Sequence, residues 1–135
     1  CGTLGMQSPK LFDEIERRSS WLVDKGSPQI VANTVWAFAK LGVPSTKLIE
    51  AIELRSSWFV QQGNPQNVAN AAWACATLGV QAPQLFAEIE RQSSWLVEHG
   101  SPQSIANTAW ACATLGVQSP KLFQEIERRS SWLLQ

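Results

Sequence analysis

No uninterrupted apolar run in this chain approaches the roughly 18–20 residues that crossing a bilayer requires, and no basic stretch followed by an apolar core stands near its start. A soluble chain is therefore expected. Charge of one sign is also lacking: 11 Lys and Arg balance 11 Asp and Glu, so no bulk positive field exists to drive non-specific binding to nucleic acid. A Gly-rich phosphate loop, a nucleophile motif and paired metal ligands are likewise missing. The single histidine, His99, replaces Lys25 and Gln62 of equivalent segments and has no carboxylate or thiol at ligand spacing, which marks it as a solvated surface residue. These absences argue against an enzyme, and no cofactor or metal is expected.

What the chain does have is repetition. Ser-Ser-Trp recurs at Ser19, Ser56, Ser93 and Ser130, each 37 positions after the last, and Ala-Asn-x-x-Trp-Ala recurs from Ala32, Ala69 and Ala106 with the same period. Three full units follow, at 8–44, 45–81 and 82–118, flanked by the end of a truncated unit at 1–7 and a partial one at 119–135. The opening segment from Cys1 to Gln7 matches Cys75 to Gln81. Without atypical polar caps at either end, the chain is expected to be a stretch of a longer array forming one solenoid domain.

Each unit is punctuated twice. Ser8-Pro9, Ala82-Pro83 and Ser119-Pro120 set a proline at a first helical position, behind a serine N-cap in two cases, while Ser45-Thr46 opens the second unit. That helix is expected to run to Gly26, Gly63 or Gly100. A second begins at Ser27-Pro28, Asn64-Pro65 or Ser101-Pro102 and stops at Gly42, Gly79 or Gly116. Leu11, Phe12, Ile15, Leu22 and Val23 share one side of the first helix, and Val31, Ala32, Val35, Phe38 and Ala39 form the apolar stripe of the second. One such hairpin cannot bury both stripes, so neighbours must stack. The expected fold is all-α: an α-solenoid of tandem 37-residue helix-turn-helix repeats, with a right-handed superhelix.

Three sets of residues invite a functional reading. Gln29 and Asn33, Gln66 and Asn70, and Gln103 and Asn107 are amide pairs four apart, so each pair projects from one helix face. Amides supply both donors and acceptors, as reading a base edge demands. Beside them the otherwise uniform motif changes, through Ile30, Asn67 and Ser104, in the manner of helical repeats that read one base each. The plainer role is an asparagine ladder that satisfies the backbone of the neighbouring unit. Arg17, Arg18 and Arg55, with Arg91, Arg128 and Arg129, offer phosphate contacts, although Glu14, Glu16, Glu53, Glu88 and Glu90 stand at spacings that favour mutual pairing. Trp21, Trp58 and Trp95, with Trp132, lie off the main apolar stripe, where they either pack on the next unit or stack a base. Trp36, Trp73 and Trp110 border the second-helix stripe and are assigned to packing between units. Cys75 and Cys112 occupy the position of Phe38; stacked helices lie roughly 8–10 Å apart, too far for a disulfide, so buried thiols are expected.

The segment Pro-Gln-x-Val-Ala-Asn-x-x-Trp-Ala-x-Ala-x-Leu-Gly, seen from Pro65 to Gly79, resembles the octotricopeptide repeat and its 37-residue relative, the heptatricopeptide repeat. The resemblance spans the whole chain. It implies an α-solenoid of organelle RNA metabolism, in a plastid or mitochondrion, with single-stranded RNA as the favoured partner and flanking repeats of the same chain as neighbours. The alternative from another class is a helical scaffold packed against protein subunits of a large assembly, such as an organellar ribosome or a membrane complex.

Overall fold

The structure, a computed structural model, describes residues 9–134, with side chains over 10–130. Segment 1–7 with Cys1, the Ser8 cap and the side chain of Trp132 lie outside the described residues. Ten helices and no strand are found among the described residues: α1 (Pro9–Arg17), α2 (Ser19–Lys25), α3 (Pro28–Lys40), α4 (Thr46–Leu54), α5 (Ser56–Gln62), α6 (Pro65–Leu78), α7 (Pro83–Arg91), α8 (Ser93–His99), α9 (Pro102–Leu115) and α10 (Pro120–Leu134).

The second helices are built as their caps dictate. Ser27 Oγ accepts from Ile30 N at 3.2 Å and Ser101 Oγ from Ser104 N at 3.1 Å, while Asn64 and Asn67 form a reciprocal capping box. Each of these helices stops where Gly42, Gly79 or Gly116 turns left-handed at φ 69°, a conformation that costs glycine nothing. The residue after that glycine then closes the end, as Val80 N does on Cys75 O at 2.9 Å.

The first helices depart from expectation. They do not run unbroken to Gly26, Gly63 and Gly100, but split at Arg18, Arg55 and Gln92, where ψ swings to between 20° and 32°. At two of the three breaks a hydroxyl competes for a helix carbonyl: Ser19 Oγ donates to Glu16 O at 2.7 Å and Ser93 Oγ to Glu90 O at 2.6 Å. The fourth copy, α10, is continuous. The glycines that end these helices are not left-handed either: Gly63 has φ −88°, and a Cβ there would lie 2.7 Å from Phe59 O. Close approach, and not a positive φ, requires glycine at that corner.

The caps of α4, α7 and α10 also differ from those expected. Ser45 makes no side-chain cap bond, and Ser119 Oγ donates backwards to Val117 O at 3.5 Å. The first N–H groups of these helices are taken instead by a carboxylate of the preceding unit. Glu16 accepts from Leu48 N at 3.2 Å, Glu53 from Gln84 N and Leu85 N at 3.1 and 2.6 Å, and Glu90 from Lys121 N and Leu122 N at 2.8 and 3.2 Å. Glu16, Glu53 and Glu90 thus staple one unit to the next instead of pairing with arginine. An acidic group at a helix N-terminus also complements the helix dipole.

Two layers result. Helix α3 packs on α6 and α6 on α9; in the other layer α2 packs on α4, α5 on α7 and α8 on α10. The layer of second helices is lined with alanine, Ala69, Ala71, Ala72 and Ala74 all being 0 % exposed, which lets backbones approach closely. Phe38, Phe59, Phe86, Leu48, Leu85 and Ile89 are fully buried core side chains, each stabilising by about 1.5–3 kcal/mol through burial. Cys75 and Cys112 are free and buried, and burial pushes the Cys75 thiol up to about 12.

Candidate nucleic-acid interface

The amide pairs occupy the side of the second helices that faces away from the core. Gln29 and Asn33 are exposed, as are Gln66 and Gln103, while Asn70 and Asn107 are half-buried. Gln66 Nε2 donates to Asn70 Oδ1 at 2.9 Å and Gln103 Nε2 to Asn107 Oδ1 at 3.2 Å. The bonding runs within each helix, not to the backbone of a neighbour, so it leaves the Asn amide donors and the Gln carbonyl acceptor free to meet a ligand. The pairs on α6 and α9 are therefore oriented but not used up.

The changing position beside the amides has another occupation in two of its three copies. Asn67 is 6 % exposed and completes the capping box with Asn64; Ser104 is 2 % exposed and donates to Ser101 O at 3.0 Å. Only Ile30, at 51 %, faces solvent. Its variation follows helix capping and packing between units.

The tryptophans of this face do more than the packing expected of them. Trp36 and Trp110 are 39 % and 46 % exposed, and Trp73 is half-buried. Trp36 follows Gln29 by seven and Asn33 by three, one helical stripe, so each of the three helices carries Gln, Asn and Trp in line. The signal was present in that spacing. The indoles do pack between units, since the Trp36 and Trp73 rings lie 6.3 Å apart at 38°, and this contact joins the stripes of α3 and α6. Lys40 Nζ sits 5.4 Å from the Trp36 ring. In the other units the stripe ends on Thr77 and Thr114, so this surface is aromatic and amidic and carries little charge.

The remaining candidates lie on the other layer. Arg18 stacks 4.3 Å over Trp21, Arg55 stacks 4.8 Å over Trp58, and the His99 ring lies 5.6 Å from that of Trp95. Arg55 also bridges units to Asp24 at 2.9 Å. Arg17 pairs with Glu14 at 2.6 Å; their hydrogen bond lowers the carboxyl pKa and raises that of the guanidinium. Arg91 pairs with Glu88 and Arg128 with Glu125. These cations serve partners of their own layer, and the structure does not bring them to the amide stripe.

A stack of helical hairpins that displays, on adjacent helices, a stripe of amides and indoles has the form of a repeat-built binding surface. The chain belongs to the family of the RNA-editing substrate-binding complex 6 protein, which it matches over residues 2–135. No curated protein and no solved structure matches it. Among the described residues, no helix is long and apolar enough to cross a membrane.

Proposed function

We propose that this chain is a non-catalytic scaffold that binds single-stranded RNA across the exposed stripe of α3, α6 and α9, within an RNA-editing substrate-binding complex of an organelle. The observation that carries the reading is the repeated set of an indole beside an amide pair, namely Trp36 with Gln29 and Asn33, Trp73 with Gln66 and Asn70, and Trp110 with Gln103 and Asn107. Indoles stack bases of any sequence, at about 1–3 kcal/mol per base, and the amides meet base edges. The family's name speaks of an RNA-editing substrate, and the resemblance to octotricopeptide and heptatricopeptide repeats, resting on Asn-x-x-Trp-Ala, points the same way.

Because Lys40 is the one charge of the stripe, affinity should depend only weakly on salt, each engaged cation adding about 0.7 to the slope of log K against log salt. The test is titration of single-stranded RNA against the intrinsic tryptophan fluorescence. Quenching that Trp73→Ala diminishes, with a loss of affinity of about 1–3 kcal/mol, supports the reading. Unquenched fluorescence at every RNA concentration overturns it.

Protein partners on the other layer are supported by Leu54. It is 85 % exposed at the position where the other units carry Arg17, Arg91 and Arg128. With Trp21, 50 % exposed, and Ala51 it lines a groove between α2 and α4, a surface that suits contact with a protein subunit of the same complex. An organellar ribosome or a membrane complex finds no support in the family to which the chain belongs.

A further inference from the structure

We propose that the groove between α2 and α4 docks a protein segment that inserts a carboxylate beside an aliphatic side chain. The proposal rests on the reading of Leu54 as a protein contact, and it names the chemistry of the partner.

Comparison of the junctions between units shows what this groove lacks. Elsewhere the first helix carries a glutamate and, one turn on, an arginine: Glu14 with Arg17, Glu88 with Arg91 and Glu125 with Arg128, each of them an ion pair. At the two later junctions this glutamate also reaches back to the preceding unit. Ser57 Oγ donates to Glu88 Oε1 at 3.4 Å, and Ser94 hydrogen-bonds Glu125. The carboxylate thus fills the space between one unit and the next.

The second unit departs from the pattern at both positions at once, with Ala51 for the glutamate and Leu54 for the arginine. Ser20, the counterpart of Ser57 and Ser94, is exposed, and its hydroxyl has no hydrogen-bond partner among the described residues. A groove of about 270 Å³ opens there, walled by Ser20, Trp21, Ala51, Leu54 and Arg55. It lies between two whole units. The position of Leu54 faces solvent in every copy, since the side chains of Arg17, Arg91 and Arg128 are 71, 63 and 74 % exposed. Its 85 % exposure is therefore a property of the repeat, and the substitution is what makes the spot apolar.

The other junctions show what complements this groove. They seat a carboxylate on the serine hydroxyl, and Ser20 offers the same donor. Arg55 adds a guanidinium with N–H donors to spare beyond the one it gives Asp24 at 2.9 Å. Arg18, stacked over Trp21, brings a second cation. Asp24 is the one carboxylate among the lining residues, so the walls carry a surplus of positive charge that attracts an anion. Ala51 and Leu54 beside it suit an aliphatic side chain, which leaves water on docking. A nucleotide fits less well, because Arg18 already occupies a face of the Trp21 ring and Leu54 offers nothing to a phosphate. An aspartate or glutamate within a turn of a leucine, isoleucine or methionine on a partner's helix meets every wall.

The experiment installs the photoreactive residue p-benzoylphenylalanine in place of Leu54, in the protein within its cellular complex, and sequences the cross-linked segment. The expected segment belongs to a protein subunit and carries Asp or Glu within one helical turn of Leu, Ile or Met. A synthetic peptide of that segment should bind the chain, and the same peptide with the carboxylate turned to an amide should bind about tenfold more weakly. Ala51→Glu restores the glutamate of the other units, so helicity and thermal midpoint should match the parent. Its carboxylate should take the Ser20 hydroxyl, repel the partner's and cut the cross-link by about tenfold. Ser20→Ala, at an exposed site, should weaken the cross-link without touching the fold. A cross-linked protein segment with no carboxylate at that spacing overturns the proposal and leaves Leu54 as a protein contact of other chemistry. So does a cross-link that Ala51→Glu and Ser20→Ala both leave undiminished. Cross-links to RNA alone, or to nothing, overturn the protein-contact reading as well.

Discussion

The two layers of the stack solve the same packing problem with different chemistry. The second helices α3, α6 and α9 are unbroken, rich in alanine and nearly free of charge, and they pack on one another directly. The first helices are broken at Arg18, Arg55 and Gln92 and held across units by carboxylates, with an ion pair between Arg55 and Asp24. Where small side chains let backbones meet, outward polar groups are left over for a ligand. In the charged layer, Arg17, Arg55, Arg91 and Arg128 already have carboxylate partners within the fold. That difference is why the amide and indole stripe, and not the arginines, is the candidate interface.

The largest effect should come from the core that both layers share. Leu85→Ala, at a fully buried site, should lower stability by about 2–5 kcal/mol in denaturant unfolding. A change below about 1 kcal/mol would mean that the layers are not packed as described. Next comes the carboxylate staple: Glu53→Ala should cost about 1–2 kcal/mol by leaving Gln84 N and Leu85 N without their cap, while RNA affinity stays unchanged. If stability holds, the charged layer is not stapled through its helix starts.

Smaller still at working pH is the effect of Cys75. Burial raises its thiol from 9.0 to about 12, so the folded state holds the proton more tightly than the unfolded one. The associated stability is complete below pH 9 and lost as pH rises toward 12. Cys75→Ala should flatten that alkaline decline, and the thiol should resist labelling at neutral pH until the chain unfolds. The smallest effect belongs to Arg17→Ala, which removes an exposed pair with Glu14 and should leave the thermal midpoint unmoved at any salt concentration. A salt-dependent loss there would show that surface pairing, and not the staples, holds the first-helix layer together.

Much of this was legible in the sequence, for physical reasons. The 37-residue period, the Ser-Pro and Asn-Pro helix starts and the Leu-Gly stops are local signals, and local geometry obeys them. Burial of Cys75 and Cys112 followed from the apolar spacing and from Phe38 at the same position. The breaks in the first helices were not legible, because Ser19 can turn its hydroxyl to water or to the Glu16 carbonyl and the sequence is the same either way. The staples escaped too, since Glu53 meets donors 31 and 32 residues away while arginines stand closer in sequence. The outward placement of the amide pairs on the proposed interface is legible in their four-residue spacing. The exposure of Trp36 beside them is not legible, because a large indole at the edge of an apolar stripe serves packing and exposure at once.

Whether the amide stripe is a ligand surface or part of the scaffold is decided by one preparation carrying Asn33→Ala, Asn70→Ala and Asn107→Ala together. Thermal unfolding and single-stranded RNA affinity would be measured on that protein and on its parent. A ligand surface predicts a stability change within about 0.5 kcal/mol per site, since Asn70 and Asn107 bond only within their own helices and Asn33 is exposed. It also predicts an affinity loss of at least about 1–3 kcal/mol, as expected when base-edge contacts are removed. Lost stability with unchanged affinity would contradict it, and would return the asparagines to the scaffold.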